Sequence, residues 1–294
     1  MIRLLDRFLL LQPRWLSTIL FIPLLYALGW LAAMLLTVLG LPYNAVSLTG
    51  TVLSFALFVL AMPRWAAKRW SEHQPWRRLG LLGRRPWNRI HHLTSLGIGL
   101  LMSLALITLI VSLLIYTGYG AWQGNLEIKA ILNCLLLALG VGLAEELIFR
   151  AWLWEELTLM LGPTRSLFGQ AALFSLVHTR FNLGIWPMLG LLIGLLLLGL
   201  VLALLRVRDE GSLWGSIGLH GGLVGGWFLV DQNLLVIDPN APMWLVGPGG
   251  INANPLGGMV SILSLTAIGS LLIQITQPTR LRQSTNSARD EKQC

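Results

Sequence analysis

Two adjacent carboxylates, one arginine and two histidines are the residues whose types and spacing suit chemistry in this chain. Glu145, Glu146 and Arg150 lie in AEELIFR, residues 144–150; His178 lies in ALFSLVHTRF and His220 in GSIGLHGGLVGGWF. A carboxylate in a low-dielectric cavity has its pKa pushed upward, which brings it nearer the working pH of a general base. One carboxylate and two neutral imidazoles also match a catalytic zinc set with an open position. Zinc is therefore a candidate cofactor, with Glu145, His178 and His220 as its ligands, and residue types alone do not choose between a metal-bound water and direct glutamate and histidine catalysis. The chain has no HExxH, which excludes the zincin arrangement, and no pair of intramembrane aspartates.

These groups stand in an apolar setting. The chain has 294 residues, of which 55% are hydrophobic and 12% charged, and its mean hydropathy is +0.71. A soluble domain carries about 25% charged residues. The composition indicates an all-α, polytopic membrane protein, because a helix satisfies its own backbone in hydrocarbon. Runs near 15–41, 46–63, 93–116, 128–149, 166–183, 185–205, 212–231 and 256–277 approach the roughly 20 residues that a crossing needs. That predicts about eight transmembrane helices in one domain over 1–277, with both termini on one side. Placing the termini in the cytoplasm leaves only Lys129 and Arg180 of the 21 Lys and Arg outside, as expected when cytoplasmic loops collect basic residues. The implied location is a plasma or other energy-transducing membrane.

The formal charge of +8 has the same origin. Residues 64–92 interleave Arg and Trp, residue types expected at a headgroup interface. Membrane lipids, and not nucleic acid, are the expected partners of this basic segment. The first apolar run exceeds the roughly 7 to 15 residues of a signal-peptide core, so it is expected to remain as a helix. Cys134 and Cys294 form neither a disulfide framework nor a clustered metal site. The polar tail, 278–294, is expected to be disordered by composition.

Of the thirteen acids, only Glu145 and Glu146 sit clearly within a span. A charge at the centre of a spanning helix costs about 2.5 to 3.5 kcal/mol. At a rise of about 1.5 Å per residue the pair lies about 25 Å from the outer face, so this cost is moderated. Helical phase separates the two acids. Glu146 and Arg150, four apart with the acid first, are placed to pair, whereas Glu145 points about 100° away, in line with Phe149. A bland reading is also open, in which the charges form an interfacial anchor with Glu155, Glu156 and the neighbouring Trp residues. Against it, His220 lies about 12 Å and His178 about 18 Å from the inner face at the same rise, so both approach Glu145 if the helix that carries His178 starts a turn earlier or later. Gly218, Gly222 and Gly226 recur every four residues, as do Gly221 and Gly225. Small residues at that spacing let helix backbones approach closely in lipid.

Glu145, Glu146 and Arg150 as EExxxR, then Phe174 and His178 as FxxxH, then His220 in a glycine-rich late span, resemble the CPBP family. That family includes the CAAX prenyl proteases and the bacteriocin-processing or Abi intramembrane proteases. The resemblance covers roughly 128–230. It implies an eight-helix protease in which Glu145 activates water for attack on a peptide carbonyl. It further implies that His178 and His220 orient the water, hold a metal or stabilise the oxyanion, and that Glu146, Arg150 and Phe174 support the geometry. The chain departs from the family's HxxxN at Val224, which cannot donate a hydrogen bond; Ser216, one turn before His220, is the substitute donor that the sequence offers.

The leading expectation is an intramembrane endopeptidase acting on membrane-associated or lipid-modified peptides or proteins. The resemblance does not by itself establish prenylated substrates. The alternative is a catalytically weak relative acting as a membrane scaffold, immunity or regulatory protein. A third reading, a proton-relaying transporter or channel, lacks an evident inverted repeat.

Overall fold

Each long apolar run folds as helix, since backbone groups in hydrocarbon must bond within their own segment. The computed structural model describes residues 2–82, 88–249 and 253–290. Arg84 and Arg85 of the basic segment and residues 291–294 of the tail lie outside them. The chain forms two compact units, Met1–Leu82 and Gly83–Cys294.

The first unit holds α1 (Ile2–Leu9), α2 (Arg14–Thr37), α3 (Val46–Trp70) and the single turn α4 (Pro75–Arg78). Helices α2 and α3 pack with almost no space between backbones at Gly29, where a Cβ would come within 2.7 Å of the Gly50 carbonyl and 2.6 Å of the Ser54 nitrogen. Phe21 lies 4.2 Å from Trp65 in the same interface, with the ring planes tilted by 36°. Arg69 closes one end of the pair by donating to the Leu9 and Arg14 carbonyls at 2.9 and 3.0 Å. At the same end Arg64 bonds the Asp6 carboxylate at 2.8 Å.

The second unit comprises α5 (Asn88–Tyr116), α6 (Ile128–Glu145), a π-helical stretch over Glu146–Leu153, α7 (Trp154–Leu161), α8 (Pro163–Val177), α9 (Ile185–Arg208), α10 (Trp214–Leu229), the turn α11 (Met243–Val246) and α12 (Met259–Asp290). Two three-residue strands, β1 (Gly120–Trp122) and β2 (Leu235–Ile237), pair antiparallel outside the helices. Among the described residues six helical stretches are long and apolar enough to cross a membrane. Helices α8 and α10 stand where two further spans were expected, but with 15 and 16 residues they are shorter. The all-α polytopic class holds. The backbone of α12 continues as helix to Asp290, through most of the segment that composition marks as a tail.

Helix α10 is the centre of this unit because its two glycine stripes face two different helices. Gly218 and Gly222 meet α5, where an added Cβ would lie 3.1 Å from the Leu100 nitrogen and 2.8 Å from the Ser103 Cβ respectively. Gly221 and Gly225 meet α6 at Ala138 and Cys134, and Gly142 of α6 answers with a position 2.8 Å from the Gly221 Cα. Glycine is a poor helix former, and here the loss is offset by close backbone packing on both sides. This clamp holds His220 of α10 beside the C-terminal end of α6, where the acids are.

Helix α8 is held on α9 by Ser175, whose hydroxyl donates to the Leu192 carbonyl at 2.7 Å, and by Gln170, whose amide donates to the Gly199 carbonyl at 3.2 Å. That docking presents Phe174 and His178 to the same place.

Candidate active site

Glu145 is the last residue of α6 and Glu146 opens the π-helical stretch. A π-turn widens the helix by one residue and is found disproportionately at functional sites. α-Helical periodicity did not foresee it.

The two acids have different surroundings. Glu145 is 26% exposed, and its Oε2 lies 3.6 Å from His178 Nε2 and 3.8 Å from His220 Nε2. These separations exceed a hydrogen bond, and among the described residues Glu145 Oε2 has no hydrogen-bond partner although it is buried as an atom. Glu146 is fully buried. Its Oε1 accepts from His220 Nδ1 at 2.8 Å and lies 3.2 Å from Arg150 Nη1. The Glu146–Arg150 pairing expected from spacing is present. The bond from His220 to Glu146 has no signal in spacing, because it joins residues 74 apart.

The outer bonds of the two imidazoles determine what their inner nitrogens can do. His178 Nδ1 lies 2.7 Å from the Phe174 carbonyl, an acceptor only, so Nδ1 carries the hydrogen and donates. His220 Nδ1 likewise donates to the Glu146 carboxylate. When neutral, both rings therefore turn an Nε2 lone pair toward Glu145 Oε2. Three acceptors facing one point need a proton donor between them, and a water molecule can donate to Glu145 and to one imidazole at a time.

Phe174 ties these parts together. Its fully buried ring lies 4.8 Å from the His178 ring, meets the His220 ring edge-on at 5.6 Å and carries the Arg150 guanidinium at 4.0 Å. Such a cation over a ring face is attracted by the ring quadrupole. Arg206 was read only as a cytoplasmic charge. It is buried at 7% exposure, donates from Nη1 to the Arg150 carbonyl and lies 3.7 Å from Glu155. Glu155 thereby faces Arg206, which accounts for one of the acids that the anchor reading had grouped with the pair.

Glu145, His178 and His220 open on a cavity of about 530 Å³ within the second unit. Its inner walls are apolar, from Ile107 of α5, Val141 of α6, Leu198 of α9 and Leu223 of α10, while Arg180, Asp231, Gln232 and Asn254 supply polar groups. Val224 lines it, as its position one turn from His220 requires. Ser216, the substitute donor expected from sequence, is corrected. Its hydroxyl is fully buried and donates to the Leu202 carbonyl at 2.8 Å, on the side of α10 that packs against α9. A residue one turn before His220 drifts around the helix by about 40°, enough to place it in the packing interface.

Zinc requires ligand atoms about 2.0 to 2.2 Å from a common point. The donor types of Glu145, His178 and His220 suit it, and the outer bonds of both imidazoles are of the kind that orient metal ligands. The separations of 3.6 and 3.8 Å between Oε2 and the two Nε2 atoms are a few tenths of an ångström wider than a tetrahedral set requires, and as the side chains stand no group of three His, Cys, Asp or Glu among the described residues is gathered closely enough to hold a metal ion.

Comparison with protein families places this site. Residues 3–74 match a domain of unknown function (DUF8676), and residues 127–225 match the model described as Type II CAAX prenyl endopeptidase Rce1-like. The second match covers less than half of the chain and includes every side chain of the cluster. No curated protein and no solved structure matches with significance. Residues 127–225 of this multi-pass membrane protein are therefore similar to the Rce1-like type II CAAX prenyl endopeptidases, the family setting that the order of acid pair, arginine, phenylalanine and histidines resembles.

Proposed function

We propose that the protein is an intramembrane endopeptidase that hydrolyses a peptide bond of a membrane-associated or lipid-modified substrate, with Glu145 as general base. The observation that carries this reading is the convergence of Glu145 Oε2 and two histidine Nε2 atoms on the wall of a largely apolar cavity. A water held there gives a proton to Glu145 while its oxygen attacks the substrate carbonyl carbon. The carbonyl electron pair moves onto oxygen; it then returns to re-form the C=O bond as the C–N bond breaks, and the proton passes from Glu145 to the leaving nitrogen. His178 and His220 orient the water through Nε2. Glu146 holds His220 through Nδ1, and Arg150 balances the charge of Glu146. Every step is carried by side chains of this cluster.

The proposal includes eight membrane crossings with both termini in the cytoplasm, supported by the near-absence of Lys and Arg from the opposite loops. A C-terminal prenylated peptide of the kind named by the family is one substrate to test. Val224 favours a second reading, a catalytically weak scaffold or immunity protein, because it places no donor in the cavity.

The test is a comparison of new protein N-termini in membranes that contain the wild-type protein or Glu145→Gln. Termini that appear only with the wild type support the peptidase reading. Identical sets at equal protein abundance reject it and favour the scaffold.

A further inference from the structure

The proposed reaction places negative charge on the substrate carbonyl oxygen, and preorganised hydrogen-bond donors are the usual means of stabilising it. Val224 has no donor, and Ser216 spends its hydroxyl on the Leu202 carbonyl. We propose that the side-chain amide of Asn254, delivered from the segment before α12 and not from α10, donates that hydrogen bond.

Asn254 lines the same cavity as Glu145, His178, His220 and Val224. Its Oδ1 accepts from the Leu256 backbone N–H at 3.1 Å, which assigns the oxygen and leaves Nδ2 as the free end of the carboxamide. Among the described residues Nδ2 has no partner in the protein. The backbone is fixed as well, since the Asn254 N–H donates to the Pro248 carbonyl at 2.9 Å and its carbonyl accepts from the Gly257 N–H at 3.1 Å. Gly247, at φ +76°, packs directly on the Asn254 carbonyl, and Gly194 of α9 does the same on the Leu256 carbonyl; any Cβ at either place would collide. A carboxamide held at Oδ1, on a backbone fixed at its N–H and carbonyl, reorganises little when charge develops, which is the property an oxyanion donor needs.

The other donors on the cavity wall are less suited. Gln232 spends its amide on Asp231 at 2.6 Å and is exposed. Arg180 is exposed, and Trp227 is packed against the apolar core. Ser261 is buried on this wall, but no bond orients its hydroxyl among the described residues.

This inference rests on the peptidase reading, so the experiment separates the two. Full-length protein in liposomes is assayed with two internally quenched peptides, one with a farnesylated cysteine followed by three residues and one an unmodified transmembrane segment. Glu145→Gln tests the reading. Asn254→Asp tests the inference, because it keeps an oxygen for the Leu256 N–H and removes the donor. We expect Asn254→Asp to lower kcat by about 10² to 10³, the cost of one oxyanion donor, with KM changed little. Adding Val224→Asn to Asn254→Asp should recover part of the rate, since that site faces the same cavity. If Glu145→Gln is inactive while Asn254→Asp keeps wild-type kcat, or if Ser261→Ala carries the loss instead, the assignment of Asn254 is overturned and the peptidase reading stands. If Glu145→Gln cleaves as well as wild type, the reading itself fails. Should Asn254→Asp not accumulate, Asn254→Ala, which also removes the donor, is judged by the same criterion.

Discussion

Glu145 and Glu146 are neighbours in sequence and stand in two different regions. The cavity side holds Glu145, partly exposed, with an oxygen that no hydrogen bond occupies. The packed side holds Glu146, fully buried between His220 and Arg150. Helix α10 repeats the division around His220, with Val224 on the cavity side and Ser216 on the packed side. Glu146 Oε2 also lacks a hydrogen-bond partner among the described residues, so what separates the two acids is access: Glu145 lines the cavity and is available to act, whereas Glu146 is sealed against His220 and Arg150 and holds them in place. A substitution on the cavity side should therefore change turnover, and one on the packed side should change stability.

The largest effect is expected on the cavity side. Glu145→Gln and His178→Ala should each lower peptide cleavage by about 10² to 10⁴, the usual contribution of a positioned acid or base. Membrane insertion and abundance should stay near wild type, because neither change removes a packing layer. Cleavage is measured with the quenched peptides and abundance by quantitative immunoblot. Equal loss of abundance and activity in both variants would break the comparison, because it would make Glu145 structural.

Arg150→Ala is the corresponding break on the packed side. It leaves Glu146 buried with one partner fewer, and stranding a buried charge costs about 3 to 5 kcal/mol, less here because His220 still donates to Glu146. The midpoint of thermal unfolding in detergent should fall well below that of Glu145→Gln. A variant that is inactive but as stable as wild type would move Arg150 to the cavity side, in contact with substrate.

Val224→Asn sharpens the comparison on α10. An amide one turn after His220 enters the cavity, so turnover should be retained or raised and not abolished. The gain should be smaller than the roughly 10² of a newly supplied oxyanion donor if Asn254 already serves. Complete loss of cleavage at normal abundance would show that the valine packs against something the substrate needs.

The smallest effect belongs to Ser216→Ala. Removing its bond to the Leu202 carbonyl should cost about 1 kcal/mol, read as a slightly lower unfolding midpoint, with kcat unchanged. A fall in kcat would return Ser216 to the reacting groups.

Sequence alone determined the solvent, the helical class and the residues that meet. Hydrocarbon admits backbone only where it bonds to itself, so apolar length locates helices. A charged or imidazole group inside such a helix costs too much to be incidental. Local spacing was enough for the Glu146–Arg150 pair and for the glycine stripes of α10, because both repeat with the pitch of one helix.

Tertiary structure decided the rest. Whether Oε2 of Glu145 is free and Oε1 of Glu146 taken depends on a bond to a histidine 74 residues away, and on a π-helical turn that no apolar pattern encodes. Whether Ser216 faces the cavity or α9 depends on how close the glycines let α10 approach its neighbours. Asn254 comes from a segment whose position depends on Gly247 and Gly194 admitting its carbonyls. In each case the deciding quantity is a distance between elements remote in the chain, and residue order carries such distances only through the packing of the whole unit.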